Sequence, residues 1–382
     1  MKQWSKVALG ELVTQIDRAE SVRPDGEYRL LGVRLEGNGA FHRETVAGTE
    51  TSASRLTRVE QGDFIYSRLF AWRGAFGVIG ADLDGCFVSN EFPLFRVDES
   101  RLDANYLNRW FQLSATWRRV EEDCTGSTPT TRNRFKEGFF LKLEIPLPPL
   151  AEQQSLVARL DALAEKTRQL ETHLDAAEQD AAHLLALRFR DAITDAPLRP
   201  MAEVAPLIRR EQSIALDSSY PELGIRSFGK GTFHKPPLSG GDVETKRLYR
   251  IDPGDLLFSN VFAWEGAIAI AQPEDVGRFG SHRFITCRTD PTQTSAEFLR
   301  YYFLTDEGLL KIGEASPGGA GRNRTLGLEK LMAIEVPVPP LPMQQFFERL
   351  QTKVSALKAK HTAIRQTNAA LLPAALERVF AQ

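Results

Sequence analysis

The sequence predicts an α+β protein: two mixed α/β globules separated by two long antiparallel coiled-coil helices, in a tandem repeat with pseudo-twofold symmetry. Three observations carry this expectation. The segment Gly62–Ala75 returns as Gly254–Ala267 with eight of 14 positions identical, at an offset of 192. A proline-rich run occurs twice, and each time it opens a stretch with heptad spacing. Ahead of each run lie short apolar segments bounded by Gly and Asp, the pattern of strands.

The repeat extends along the whole chain. Tyr28 matches Tyr220, Gly32 matches Gly224, Phe41-His42 matches Phe233-His234, and Arg96 matches Arg288. Thr131-Arg132-Asn133-Arg134 faces Gly321-Arg322-Asn323-Arg324, and Pro146-Leu147-Pro148-Pro149-Leu150 faces Pro337-Val338-Pro339-Pro340-Leu341. The divisions are therefore a first globule at 1–146, a first helix at 147–196, a second globule at 197–338 and a second helix at 339–382. Within the first globule, Phe64–Ser67, Ala75–Ile79 and Phe92–Val97 read as strands, and Asn105–Val120 as one amphipathic helix with its counterpart at Ala296–Ile312. From Ala151 to Ile193 there is no Pro or Gly. Leu156, Leu160, Leu163, Thr167, Leu170, Leu174, Ala177, Ala181 and Leu184 mark a seam, matched by Phe347, Leu350, Val354, Leu357, His361, Ile364, Asn368, Leu371 and Ala375. At ~1.5 Å per residue the first helix is roughly 65 Å long. Thr167, His361 and Asn368 are polar seam residues that fix register, and Pro373 is expected to kink or end the second helix.

Composition bounds the function. Hydrophobic residues are 42% and the net charge is −2, so bulk basicity cannot drive nucleic-acid binding; any such contact is local or assisted by a partner. No run of about 18 apolar residues exists, so no membrane span is expected, and Met1–Lys6 leads into no apolar signal stretch, so export is not expected. Three widely spaced cysteines form neither a CxxC pattern nor a disulfide framework, which fits a reducing cytoplasm. Gly224–Gly231 nearly spells a phosphate-binding loop, but its last position is Gly, and the first copy has no Lys there; a Gly-rich turn after a strand is common to both. Pro24-Asp25 with Glu27-Tyr28-Arg29 is too tightly spaced for a nuclease cluster. No catalytic residue and no metal ligand set is assigned.

The Pro-Leu-Pro-Pro-Leu-Ala-Glu-Gln-Gln stretch at 146–154, leading into a heptad helix, resembles the conserved regions of the specificity subunits of type I restriction–modification enzymes. Ser67–Trp72 and Gly126-Ser127-Thr128 with Arg132-Asn133-Arg134 look like segments of their target recognition domains. The resemblance covers the chain in the family's order; the second junction departs from it, with Met343 where the first has Glu152. It implies a non-catalytic subunit without a cofactor of its own. Each recognition domain would read one half of a split double-stranded DNA target. The helices would set the spacer and carry two modification subunits that methylate adenine with S-adenosylmethionine. Restriction subunits would add ATP- and Mg-dependent translocation and cleavage.

Two modules on one scaffold should share phosphate contacts and differ in base contacts. Shared polar residues are Ser67/Ser259, His42/His234, Arg34/Arg226 and the two Arg-Asn-Arg triplets, Arg132-Asn133-Arg134 and Arg322-Asn323-Arg324. The triplets are read as DNA contacts, with a loop anchor as the alternative. Arg34/Arg226 is expected to form an internal ion pair, and Trp72/Trp264 to sit in the core, with a base wedge or stacking platform as the alternative for the tryptophans. Matched positions that differ are Arg68/Asn260, Arg73/Glu265, Asn38/Lys230, Asn90/His282 and Glu91/Arg283; Arg suits guanine and Asn suits adenine. Arg226, Lys230, Lys235, Lys246, Arg247 and Arg250 give residues 226–250 a local positive balance. The candidate DNA-binding set is thus Arg68, Arg73, Asn90, Arg132, Asn133, Arg134, Lys230, Lys235, Asn260, His282, Arg283, Arg322, Asn323 and Arg324. The competing classes are a coiled-coil protein-binding scaffold without DNA readout, and an enzyme in its own right, which the missing motifs disfavour.

Overall fold

Alternation of apolar residues puts strands at matching places in both copies. The computed structural model describes residues 4–124, 134–243, 247–318 and 324–380. In the first copy the strands used below are β1 (Val13–Ile16), β2 (Glu27–Val33), β3 (Ala40–Ala47), β4 (Phe64–Tyr66), β5 (Phe76–Val78) and β6 (Leu94–Val97). They are followed by α1 (Ala104–Trp110), α2 (Ser114–Glu122) and the long α3 (Leu150–Ile193). The second copy has β7 (Ser219–Ile225), β8 (Thr232–Ser239), β9 (Leu256–Ser259), β10 (Ile268–Ile270), β11 (Phe284–Cys287), α4 (Ala296–Phe303), α5 (Asp306–Glu314) and the long α6 (Leu341–Phe380).

The residues group into two units, Met1–Leu174 with His361–Gln382, and Asp175–Lys360. Each unit is therefore a globule plus pieces of both long helices. In the first, β1, β6, β4 and β5 make an antiparallel sheet in that order, and the β2–β3 hairpin belongs to a five-stranded sheet. β4 is buried on both faces. Phe64 and Tyr66 point into an aromatic core with Phe76, Phe95, Phe111 and Phe140, while Ile65 packs with Leu31, Val88 and Leu94 on the other side. The Phe76 and Phe111 rings stack at 3.9 Å. In the second unit β10, β9 and β11 form the matching antiparallel sheet, and β7–β8 the matching hairpin.

Two expectations are corrected and one is narrowed. Asn105–Val120 is not one helix but α1 and α2, with Leu113 starting the second; Ala296–Ile312 is likewise α4 and α5, where the Thr305 hydroxyl accepts the Gly308 amide at 3.2 Å. The seams slip by one residue. Leu184 is 41% exposed while Leu185 is 8%, and Ile364 is 41% exposed while the inward positions become Arg365, Asn368 and Leu372. A straight helix drifts ~20° per heptad, so over several heptads the next residue turns inward. Pro373 does not end α6, which continues to Phe380 with the proline on its exposed side. Within the first unit the two helices meet antiparallel: Asn368 donates to the Thr167 carbonyl at 3.1 Å and to Glu171 at 2.7 Å, while Leu376 and Phe380 join the core that holds Val157 and Leu160. His361 is buried on the same helix.

The proline–glutamine junction has a structural explanation. Gln153 is fully buried, accepts the Asp103 amide at 2.9 Å and donates to the carbonyls of Arg101 and Pro148, both at 2.8 Å. Gln344 repeats this with the Thr294 hydroxyl, the Gln293 carbonyl and the Pro339 carbonyl. Each glutamine ties the start of a long helix to the turn that begins α1 or α4. Gln154 and Gln345 are exposed. A Gln153→Ala change strands one donor and two acceptors, at about 1–3 kcal/mol per buried group left unpaired, so the expected loss is about 2–4 kcal/mol after relaxation. Gln154→Ala should change stability by less than about 0.5 kcal/mol. Urea midpoints of the two variants check this, and equal midpoints would remove the junction's structural role.

Candidate nucleic-acid interface

The segment that follows β4 or β9 is the centre of the candidate site, and a buried charge cluster fixes its root. Asp63 has no exposure; Arg18 forks onto it at 2.6 and 3.1 Å, Arg96 reaches it at 2.7 Å, and the Glu60 amide donates to it at 2.8 Å. Asp255 repeats every part: Arg210 at 2.6 and 3.1 Å, Arg288 at 3.1 Å and the Asp252 amide at 2.9 Å. The hydrogen bond to the aspartate raises the pKa of Arg18, and of Arg210, above the ordinary guanidinium value. Sequence reasoning paired Arg96 with Arg288 but missed the cluster. The signal was present: Arg18/Arg210, Asp63/Asp255 and Arg96/Arg288 share the single offset of 192.

From this root the chain leaves the sheet through residues 68–73. At the near end, the Arg68 amide donates to the Glu91 carbonyl at 2.9 Å and its carbonyl accepts the Phe135 amide at 2.9 Å. Its guanidinium pairs with Glu137 and donates to the Asn90 carbonyl. Burial works against that charge, but Glu137 outweighs it and the pKa of Arg68 is raised. Arg134 is held by Glu91 at 2.7 Å and stays 53% exposed. The other oxygen of Glu91 is buried without a partner among the described residues. The structure therefore gathers Arg68, Asn90, Glu91 and Arg134. At the far end, exposed Arg73 lies over Trp72 at 5.9 Å, and its carbonyl accepts the amide of Glu36 at 2.8 Å. Glu36 opens the tip of the β2–β3 hairpin, so that tip and Arg73 lie side by side.

The second unit keeps this backbone and replaces the side chains. Asn260 donates from its amide to the Arg283 carbonyl at 2.8 Å and accepts from Leu326 at 2.7 Å, as Arg68 does with Glu91 and Phe135. Its side chain donates to the Leu326 carbonyl at 2.9 Å. His282 and Arg283 are exposed beside it. Arg324 stacks on Trp264 at 5.1 Å and donates to the Gly313 carbonyl at 3.1 Å and the Ser316 carbonyl at 3.3 Å, close to the end of α5. Phe228 and Gly229 donate to the carbonyls of Glu265 and Gly266, both at 2.8 Å, docking the β7–β8 tip where Glu36 and Gly37 dock in the first unit. Lys230 is exposed on this tip; Lys235 lies back along β8, at its bulge against β7.

Arg132, Asn133, Arg322 and Asn323, with Lys246 and Gly126-Ser127-Thr128, lie outside the described residues. Arg34 and Arg226 are not an internal ion pair. Both are exposed and lie over the rings of Phe41 and Phe233, at 4.6 and 5.0 Å, because each arginine follows its strand to the edge of the hairpin where the partner strand presents Phe. Trp72 and Trp264 are half-buried, each donating its indole N–H to a carbonyl three residues back at 3.0 Å. His42 bonds Thr45 at 2.9 Å, and His234 bonds Asp275 at 3.0 Å. The near phosphate loop is a hairpin turn with positive φ at Phe228, Gly229 and Gly231. Among the described residues no group of His, Cys, Asp and Glu could hold a metal, and no helix is long and apolar enough to cross a membrane. Burial pushes the Cys287 thiol up to about 12 and the Cys124 thiol up to about 11, so neither is a ready nucleophile.

Residues 1–178 match the family model described as "Type I restriction modification DNA specificity domain". No curated protein matches the chain significantly. Among solved structures, the HsdS subunit from Thermoanaerobacter tengcongensis is similar at 18% identity and a TM-score of 0.67, covering 99% of this chain and 96% of that one. A chain from a structure on complex assembly and conformational transition of the type I R-M system is similar at 18% identity and a TM-score of 0.71, covering 99% and 97%. These likenesses span the doubled architecture from end to end.

Proposed function

We infer that the chain is the DNA sequence-specificity subunit of a type I restriction–modification system, with each unit reading one half of a bipartite target. The observation that carries the reading is the doubled scaffold with exchanged side chains. Asp63 and Asp255 root the same segment, the hairpin tips dock in the same way, and yet Arg68, Arg73 and Asn90 stand where the other unit has Asn260, Glu265 and His282. One backbone presenting two polar sets is what two different half-sites require. The family match over residues 1–178 supports the same conclusion. A protein-binding scaffold would leave the paired, divergent polar tips unexplained.

The chain is the non-catalytic component. Methylation with S-adenosylmethionine then falls to two modification subunits docked on the helices, and ATP- and Mg-dependent cleavage to restriction subunits. The long helices set the spacer. One added heptad is about 10 Å of helix and corresponds to up to about three base pairs. Inserting one after Ala177 in α3 and a matching one in α6 should lengthen the mapped spacer with both half-sites intact; an active complex with an unchanged spacer would assign the gap to another element. The direct test of the reading is enrichment of random-sequence duplexes on the full chain with its modification partner. The expected result is a bipartite motif whose binding weakens steeply with salt. A flat salt response with no enriched motif would return the chain to the scaffold class.

A further inference from the structure

Phe228 is 74% exposed, at the tip of the β7–β8 hairpin, with φ of +60°. Both facts work against folding. A left-handed backbone is unfavourable for a bulky L-residue, and Gly or Asn is the usual occupant. An exposed phenyl ring gains none of the burial that makes aromatic residues useful in a core. The turn itself imposes the φ, because Glu36 has the same +60° at the corresponding place and makes the same bond to the carbonyl beneath it. The choice of side chain is therefore free of the scaffold, and in this unit it is a ring.

The surroundings select the partner. Lys230 holds its ammonium 5.7 Å from the ring centroid. Arg226 is two residues before the ring, and Glu265, whose backbone carbonyl accepts the Phe228 amide, has its carboxylate engaged by the Ser227 hydroxyl at 3.1 Å. Ser227, Gly229 and Lys230 flank the ring along the chain, and the half-buried Leu304 packs beneath the tip at Gly229 and Gly266, so the exposed ring stands in a polar, cationic setting over an apolar base. A flat ring beside a cation fits a base step next to a phosphate. Resting on the reading of this unit as a DNA module, we propose that Phe228 is a wedge that inserts at one base step of the half-site read by the second unit. It reads that step by how readily it unstacks. Flexible pyrimidine–purine steps are the ones that yield most easily. Glu36 cannot act in this way, so the first unit reads its half-site without a wedge at the tip.

The test enriches random duplexes on the full chain and on F228A, F228Y and F228N. Wild type and F228Y should prefer one pyrimidine–purine step in the half-motif that an exchange of residues 1–146 leaves unchanged. F228A and F228N should lose about tenfold in discrimination at that step alone, the scale of one lost aromatic–base stack. 2-Aminopurine placed at the step should brighten with wild type and stay dim with F228A. F228N suits the turn, so its melting temperature should equal or exceed that of wild type, which separates loss of the wedge from loss of the fold. Motifs and 2-aminopurine signals unchanged in F228A would overturn the wedge and leave the DNA reading standing, as would equal weakening of both half-motifs in F228N. A wild-type chain that enriches no motif would overturn the DNA reading and the wedge together.

Discussion

Exchanging residues 1–146 for the matching segment of another specificity chain is expected to rewrite one half of the DNA target and leave the other half unchanged. The candidate DNA-contacting groups described in the first unit, Arg68, Arg73, Asn90 and Arg134, all lie within that segment. On the proposed reading the second half-site falls to a globule with its own core and its own Asp255 cluster. The structure adds a condition. The first globule packs on both long helices: Tyr106 meets Phe380 at 5.2 Å, and Gln153 grips the turn at Arg101 and Asp103. A graft that keeps Tyr106, Trp110 and the Asp103 turn preserves these contacts. Sequencing of methylated sites in a host carrying the exchanged subunit reads the outcome, and a map in which both halves change would refute modular reading.

The second large effect concerns stability. Asp63→Ala removes a fully buried carboxylate and leaves Arg18 and Arg96 facing each other, with Glu60 at 3.0 and 3.3 Å and the carbonyls of Arg58 and Gln61 as partial compensation. Breaking a buried charge pair from one side costs about 3–5 kcal/mol, a large share of the roughly 5–15 kcal/mol that holds a domain folded. Four of the five tryptophans, Trp4, Trp72, Trp110 and Trp117, lie in the first unit, so tryptophan fluorescence in urea reports mainly on it. Its midpoint should fall sharply, while a W264F background leaves that signal in place. A loss below about 1 kcal/mol would mean that the cluster is solvated and replaceable. Asp255→Ala should do the same to the second unit, with Trp264 as its reporter.

What the sequence disclosed follows from physics that repeats locally. Eight identities in 14 residues exposed the duplication, and strands buried on both faces left apolar runs such as Phe64–Tyr66. The break between α1 and α2 was hidden because Leu107, Trp110, Phe111 and Leu113 keep their apolar spacing across it, with no Gly or Pro to mark the turn. In the second copy Thr305 followed by Asp306 and Glu307 was a readable start signal. The seam phase was lost because strict heptads and a straight helix diverge slowly. Arg34 was misassigned because an exposed arginine over a ring and a buried arginine on a carboxylate look alike in a strand pattern, and both kinds recur at the same offset of 192. The neutralisation of Arg68 by Glu137 joins residues 69 positions apart, and no local pattern announces such a pair.

The first unit draws on both Met1–Leu174 and His361–Gln382, whereas the second is the continuous stretch Asp175–Lys360. During synthesis this imposes an order. At about 5–20 residues per second, roughly 10–40 seconds separate the emergence of Leu174 from that of Phe380. Throughout that interval Val157 and Leu160 lack Leu376 and Phe380. The globule made first is thus completed last, and the one made second can close its core without waiting. Nascent chains of this protein should accordingly be most exposed to chaperones and proteases through the module nearest the start of the sequence.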